Sequence, residues 1–394
     1  MNSPKVRRRH LHPFPARMAP EVALNKIRLL TQQDDLVLDP MCGSGTVVRL
    51  AAEQGRRSIG ADLDPLAIFI TRATCSPGWS LDLETRADDL VRRAQRLRPG
   101  LPSWIASDAE TRAFVEFWFG SKQIESLARL ARVLVNLPRK DDPLRVALSR
   151  LIVTKDVGAS LARDTAHSRP HKVRDENDFD VLEAYAASAR RIESLATPVA
   201  DARRSQVRRA DARHLSFVAT GSVDLVVTSP PYLNAIDYLR GHRMSLVWLG
   251  WTLSDLRRLR AEMIGTERAL LEAQSAIKEL ATLAVPRLAE LPNRHQGMVF
   301  RFARDMVRLS RSLGRVVKKG GHAVLVVADS QFQGVPIGNS SICRLSLSRN
   351  GFTLKRRQIR PLVSRHRYLP PPGNAEGSLS QRMKEEVILT LRRT

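Results

Sequence analysis

One segment, residues 35–55, constrains the fold more than any other part of this sequence. A short apolar run at residues 35–39 leads directly into a glycine-rich turn at residues 40–46, and residues 47–54 have helical spacing that stops at Gly55. Strand, glycine-rich turn and helix form the opening unit of a doubly wound sheet. The sequence therefore predicts an α/β fold.

Six further segments predict the other strands of this sheet. The second strand, residues 57–61, begins about twenty residues after the first, which is the spacing of a mononucleotide-binding half. The remaining strands are predicted at residues 205–210, 223–228, 322–328, 352–360 and 386–391. Residues 300–317 predict a helix, with Gly320 and Gly321 as its stop.

Two helical stretches interrupt the strand pattern. In residues 76–205, Leu, Ala and Arg recur at intervals of three and four, and a second helical pattern covers residues 253–291. The polar stretch at residues 163–180 predicts an exposed loop. We therefore expect a discontinuous domain of residues 1–75 and 206–394, a mainly helical insertion at 76–205 and a second helical insertion at 240–298.

The charge balance predicts a polyanionic partner. The chain has 394 residues with 64 Lys+Arg against 40 Asp+Glu, which gives a net charge of +24. Its 43% hydrophobic content allows a real core, so the excess charge must lie on the surface, where it favours nucleic acid and disfavours acidic proteins. Three scattered cysteines predict neither a disulfide framework nor a metal site. Without an apolar membrane span or a signal peptide, we expect a cytoplasmic protein that contacts no membrane.

The glycine-rich turn predicts a nucleotide ligand that lacks phosphates. Gly43 and Gly45 let the backbone approach a ligand closely, but Thr46 stands where a phosphate-binding loop needs lysine, and the third glycine of the dinucleotide fingerprint is missing. Asp62, at the end of the second strand, is placed to accept hydrogen bonds from ribose hydroxyls.

Three motifs in this chain resemble those of a known family. Asp-Pro-Met-Cys-Gly-Ser-Gly-Thr at 39–46 resembles motif I, and Thr-Ser-Pro-Pro-Tyr at 228–232 resembles motif IV, of the S-adenosylmethionine-dependent amino-methyltransferases that act on exocyclic nitrogens of DNA bases. Residues 12–16, with the helix predicted at 20–30, are similar to motif X. The resemblance implies a Rossmann-like methyltransferase sheet of seven strands with the last one antiparallel, S-adenosylmethionine as cofactor and double-stranded DNA as partner.

The resemblance also implies roles for individual residues. Asp39, Gly43 and Gly45 would surround the methionine part of the cofactor. Asp62 would hold the ribose, and Asp211 would bind the adenine amino group. The full cofactor-binding set that it implies is His12, Pro13, Asp39, Pro40, Cys42, Gly43, Gly45, Thr46, Asp62 and Asp211.

Ser229, Pro230, Pro231 and Tyr232 form the predicted catalytic tetrapeptide. Two prolines stiffen the turn and remove two N–H donors, Ser229 can accept a hydrogen bond from an exocyclic amine, and Tyr232 offers a ring on which a flipped base can stack. An amine conjugated with a base ring is a weak nucleophile, so its orientation must supply much of the rate. We expect direct in-line methyl transfer without a covalent enzyme intermediate.

Several activities remain open on the sequence. Ser-Pro-Pro-Tyr resembles the cytosine-N4 enzymes, whereas adenine-N6 enzymes commonly have Asp or Asn at the first position. An RNA base methyltransferase and a non-catalytic DNA-binding protein are further alternatives. Carbon-5 cytosine methylation is excluded because none of the three cysteines follows a proline, as the nucleophile of that related family does.

Target recognition is expected in one of the two insertions, because motifs X, I and IV occur in this order. The candidate DNA-contacting residues are Asp237, Tyr238, Arg240, Arg365 and Arg367. Basic clusters at residues 5–10, 203–209, 355–360 and 365–367 are candidates for phosphate contacts. The sequence leaves open the recognition site, a cognate restriction endonuclease and the oligomeric state.

Overall fold

The structure is a computed structural model of the chain. It describes residues 10–14, 17–75, 82–155, 157–165, 170–195, 204–231, 233, 238–266, 269–270, 272–362 and 385–394, with the side chain of Tyr238 excepted. Among the candidate site residues, Tyr232, Asp237, Arg365 and Arg367 lie outside this part of the chain.

A seven-stranded sheet forms the centre of the described structure. Its strands are β1 (Leu36–Asp39), β2 (Arg57–Asp62), β5 (Ser205–Arg209), β6 (Val223–Thr228), β7 (Val317–Val327), β10 (Phe352–Pro361) and β11 (Glu385–Arg393). Their spatial order is β10-β11-β7-β6-β1-β2-β5. Neighbours pair in parallel except β11, the last strand, which is antiparallel to both β7 and β10. The predicted doubly wound α/β methyltransferase fold is therefore confirmed.

Among the residues that the structure describes, two short antiparallel strand pairs lie outside the main sheet. They are formed by β3 (Ala162–Arg163) with β4 (His171–Lys172), and by β8 (Ser330–Phe332) with β9 (Val335–Ile337). The first pair overlaps the polar stretch at residues 163–180 that we predicted to be a loop, since Arg163 and β4 lie within it.

The central strands are apolar along most of their length because helices cover both faces of the sheet. In β6, five of the six residues are buried. The helices in the first half of the described chain are α1 (Pro20–Leu30), α2 (Thr46–Glu53), α3 (Pro65–Cys75), α4 (Leu83–Gln95), α5 (Ser103–Ala106), α6 (Ala109–Trp118), α7 (Ser121–Leu134), α8 (Asp142–Ile152) and α9 (Val181–Leu195). Those in the second half are α10 (Tyr238–Leu246), α11 (Leu253–Glu262), α12 (Ser275–Ala284), α13 (Asn293–Val316) and α14 (Asn339–Ser348).

The predicted helix stop at Gly320 and Gly321 is wrong. The helix α13 ends at Val316 and β7 begins at the next residue, so both glycines lie inside the strand. Gly320 has a φ of +81°, and the pairing of β7 with β6 changes register at this end of the strand. The glycines therefore accommodate a local irregularity of the strand rather than a helix cap.

The helices of residues 83–195 do not form a separate core. Their buried side chains share one apolar cluster with α3 and with α10 and α11 from the second predicted insertion. In contrast, α12 packs with α13 and α14 in a cluster that also contains buried side chains of the main sheet. The proposed domain boundaries stay a prediction. In the described part of the chain, no helix combines the length and apolar character needed to cross a bilayer.

Candidate active site

The glycine-rich turn joins the buried end of β1 to the start of α2. Gly43 and Gly45 have φ angles of +49° and +80°, which L side chains rarely adopt. A Cβ atom on Gly45 would lie 2.9 Å from Cγ2 of Thr71, and one on Gly43 would lie 3.3 Å from the ring of Phe14. The backbone conformation therefore favours glycine at both positions, and at Gly45 the close approach of Thr71 requires it for space as well.

Asp62 fixes this turn against the end of β2. Its Oδ2 accepts the N–H of Gly43 at 2.9 Å, and its Oδ1 accepts the N–H of Asp64 at 3.0 Å. Burial and the nearby Asp64 carboxylate raise the pKa of Asp62 to about 6, although the two backbone donors oppose this shift. At neutral pH the carboxyl is therefore mainly ionised and able to accept further hydrogen bonds.

Asp39 is a buried carboxyl at the end of β1. Burial raises its pKa to about 7, while the Thr228 hydroxyl and the N–H of Met41, which lies 3.2 Å from Oδ1, act in the opposite direction. Near neutral pH this carboxyl is poised between its two protonation states. A cationic ligand group beside it would favour the ionised form.

An open cleft of about 850 Å³, which includes some open solvent, lies over these elements. The cleft brings together nine of the predicted site residues, which are Asp39, Pro40, Cys42, Gly43, Thr46, Asp62, Asp211, Ser229 and Pro231. Burial raises the pKa of the Cys42 thiol well above its usual range, so Cys42 lines the cleft as a neutral side chain.

Ser229 lies where β6 ends, at the wall of the cleft. Its Oγ donates a hydrogen bond to the carbonyl of Val326 on the neighbouring strand β7, at 2.9 Å. Since the hydroxyl proton is directed to that carbonyl, the oxygen is oriented to accept hydrogen bonds. Pro231 also lines the cleft, whereas Pro230 is buried beside it.

The described lining of the cleft does not include His12, Pro13 or Gly45. Nε2 of His12 lies 2.9 Å from the Ser149 hydroxyl in the interior, where burial lowers the pKa of the imidazole well below its usual range. The same N-terminal segment reaches the cleft through Phe14 instead. Arg240, which is partly buried on α10, is also outside this lining.

Sequence reasoning missed several lining residues. They are Phe14, Arg17, Met18, Met41, Ser44, Val47, Leu63, Asp64, Ala210, Ala212, Met263 and Ile264. Asp64 had a signal, because it follows Asp62 by two residues in the same acidic turn. Met263 and Ile264 had none, since they reach the cleft only through the packing of α11.

The chain is similar to known DNA methylases. A family model described as "DNA methylase", for the N6 and N4 enzymes, matches residues 2–71. The type II methyltransferase M.MvaI of Kocuria varians is 22% identical over 432 residues, covering 97% of this chain and 90% of that protein. The resemblance to the DNA amino-methyltransferases is confirmed. The same comparisons support S-adenosylmethionine as the cofactor.

Structural likenesses to solved methyltransferases are distant. An S-adenosylmethionine-dependent methyltransferase from Methanosarcina mazei has 10% identity and a TM-score of 0.36, with 96% of this chain and 99% of that chain covered. A DNA modification methylase from Thermus thermophilus has 18% identity and a TM-score of 0.24, with 47% of this chain and 50% of that chain covered.

Proposed function

We propose that this amino-methyltransferase homologue transfers a methyl group from S-adenosylmethionine to the exocyclic N4 amine of cytosine in DNA. The observation that carries this proposal is the position of Ser229 at the wall of the cleft, where its hydroxyl donates a hydrogen bond to the carbonyl of Val326. An oxygen oriented as an acceptor suits an amine, which approaches as a hydrogen-bond donor.

The carboxylates of the cleft suit three parts of the cofactor. Asp39 would pair with the methionine ammonium group, which would favour the ionised form of this carboxyl. Asp62 would accept hydrogen bonds from the ribose hydroxyls while it holds Gly43. Asp211, which follows β5 and also lines the cleft, would accept a hydrogen bond from the adenine amino group.

Orientation of the amine is the main task of the catalytic turn. The cofactor, when bound, supplies an electrophilic methyl group on a sulfonium. Ser229 Oγ and the carbonyl of Pro230 would accept hydrogen bonds from the amine and so localise its lone pair for attack. Tyr232 would stack on the base after it leaves the duplex. As the new C–N bond forms, the bond between the methyl carbon and sulfur would break and S-adenosylhomocysteine would leave. The methylated nitrogen, cationic at that point, would then release its extra proton to solvent.

The excess positive charge supports nucleic acid as the substrate. Arg208 and Arg209 are exposed on β5 at one edge of the sheet, and Lys355 and Arg357 are exposed on β10 at the other edge. The preference for cytosine over adenine rests on the resemblance of Ser-Pro-Pro-Tyr to the cytosine-N4 enzymes. Adenine-N6 methylation is the second candidate function.

Methyl transfer to unmethylated genomic DNA tests the proposal. The protein is incubated with labelled S-adenosylmethionine, and the DNA is hydrolysed to nucleosides. We expect the label in N4-methylcytosine. Label in N6-methyladenine would establish the second candidate, and label only in added RNA would overturn the DNA assignment. DNA binding without any transfer would indicate a non-catalytic DNA-binding protein.

A further inference from the structure

Arg213 forms a buried link between the cleft and the helix α13. Its Nε donates to Asp211 Oδ1 at 3.0 Å, and its Nη2 donates to Asp211 Oδ2 at 2.6 Å. On the other side, Nη1 lies 3.1 Å from Oδ1 of Asp305, a fully buried residue of α13. The Arg213 side chain is itself only 8% exposed, so its geometry is fixed by the protein rather than by solvent.

The same guanidinium reaches a third element of the cleft. Nη2 of Arg213 also donates to the carbonyl of Glu262, the last residue of α11, at 2.5 Å. The two residues that follow, Met263 and Ile264, line the cleft together with Asp211. The Arg213 side chain thus contacts both Asp211, which is a polar residue of the cleft lining, and the end of α11, which leads into the apolar lining residues Met263 and Ile264.

We propose that Arg213 is the positioning residue for the purine end of the cofactor site. This inference rests on the proposed function, in which Asp211 accepts a hydrogen bond from the adenine amino group. The bidentate contact fixes the plane of the Asp211 carboxylate, and Asp305 fixes the guanidinium in turn. With its orientation fixed, the carboxylate selects a ring that carries an amino donor over one that carries a carbonyl oxygen.

Lysine at this position would keep the charge but lose the planar fork. An ammonium group is a compact point charge and does not reproduce the bidentate geometry of a guanidinium. If Arg213 had a purely structural role, Arg213→Lys would reduce only the stability of the protein. If Arg213 positions Asp211, the same substitution also reduces the discrimination between amino and carbonyl purines. These two roles therefore differ in a binding measurement.

Isothermal titration with two probes tests the proposal. The probes are S-adenosylhomocysteine and S-inosylhomocysteine, which differ at the purine C6 substituent and at N1, an acceptor in adenine that carries a proton in hypoxanthine. We expect the unaltered protein to prefer the adenosyl compound by at least about tenfold, because a carboxylate held in place beside C6 faces a carbonyl oxygen and cannot turn to the neighbouring N1–H. In Arg213→Lys we expect adenosyl affinity to fall about tenfold and the preference to shrink to about threefold or less.

Arg145→Lys is the matched control. Arg145 is also buried, pairs with Asp142 at 2.8 Å and donates to a backbone carbonyl at 3.2 Å, but it lies on α8 and not in the described lining of the cleft. We expect this variant to lose thermal stability and to keep both the affinity and the preference of the unaltered protein.

Asp305→Asn provides a second variant should Arg213→Lys fail to fold. It leaves Arg213 and Asp211 in place and removes the charge that anchors the guanidinium, so we expect a smaller loss of preference. The same carboxylate also lies 3.2 Å from Nη2 of Arg304 and 3.9 Å from Nε of Arg301, so we expect a loss of stability as well. An unchanged preference in either folded variant would overturn the positioning role. Failure of the unaltered protein to bind S-adenosylhomocysteine would instead overturn the proposed function.

Discussion

His242 and Asp64 form a buried pair next to the cleft. Nδ1 of His242 lies 2.5 Å from Oδ2 of Asp64, and each side chain is only 2% exposed. His242 is on α10, the helix that follows the catalytic turn, while Asp64 follows β2 and lines the cleft. The ring of Phe14 packs against the imidazole, with 5.1 Å between the two ring centroids. Three distant parts of the sequence thus meet at one wall of the site.

We expect His242→Ala to lower the free energy of unfolding by about 3–5 kcal/mol, because it leaves Oδ2 of the buried Asp64 without its imidazole partner, while Oδ1 keeps the N–H of Leu66. The double variant His242→Ala/Asp64→Asn should recover part of this loss, since no unpaired charge remains. Urea denaturation measures both. Ser188→Ala, which removes a buried hydrogen bond to the Ala147 carbonyl, is the control and should cost about 1 kcal/mol. Equal losses in the single and double variants would contradict the role of the pair.

Removal of the catalytic side chains should separate binding from transfer. We expect Ser229→Ala and Tyr232→Ala to retain S-adenosylhomocysteine binding, since neither residue is assigned to the cofactor. Each should lose most methyl transfer, roughly a hundredfold or more, because the amine is no longer oriented. Calorimetry and labelled-methyl incorporation give the two readouts. Full activity in both variants would show that the chemistry occurs elsewhere.

The fold was predictable because its signals are local. The strand, turn and helix around Gly43 lie within about twenty consecutive residues, and the apolar strands identify themselves one by one. The β7 irregularity was missed because consecutive glycines after a helix are equally typical of a cap, and only pairing with β6 distinguishes the two. The same limit applies to the site. Asp64 and His242 are 178 positions apart, so nothing in the sequence shows that they are partners.

The buried Asp39 predicts a pH-dependent stability of the ligand-free protein. Its folded pKa of about 7 lies above the ordinary value of 3.8, so the folded state binds this proton more tightly than the unfolded state. This group therefore lowers stability as pH rises from about 4 to about 7. The Asp39→Asn variant has no ionisable group at this position, and we expect its free energy of unfolding to be higher than that of the unaltered protein.

The full difference between the folded and ordinary pKa values of Asp39 corresponds to about 4 kcal/mol. Local relaxation should reduce the gain in the free energy of unfolding of Asp39→Asn to about 1–2 kcal/mol at pH 8. The gain should be smaller at pH 5, where the folded carboxyl is already protonated. Thermal and urea unfolding at both pH values measure it. The variant should also bind S-adenosylhomocysteine more weakly, because the partner of the methionine ammonium is neutral. A gain that is equal at both pH values would contradict the raised pKa.

Gly221 and Gly45 both have a left-handed backbone but differ in the space around them. Alanine substitutions at the two positions therefore distinguish the cost of backbone strain from the cost of a steric clash. Gly221 has a φ of +59°, and a Cβ atom added there would have no neighbouring atom within 4 Å, whereas a Cβ on Gly45 would lie 2.9 Å from Thr71 Cγ2 and 3.1 Å from Thr71 Cα. We expect Gly221→Ala to cost about 1 kcal/mol through backbone strain alone. Gly45→Ala should cost about 3 kcal/mol or more, because the Thr71 backbone must also move. Only Gly45→Ala should weaken S-adenosylhomocysteine binding, since only that turn borders the cleft. Equal stability losses in urea denaturation would mean that the contact with Thr71 relaxes freely and that φ alone requires glycine in the turn.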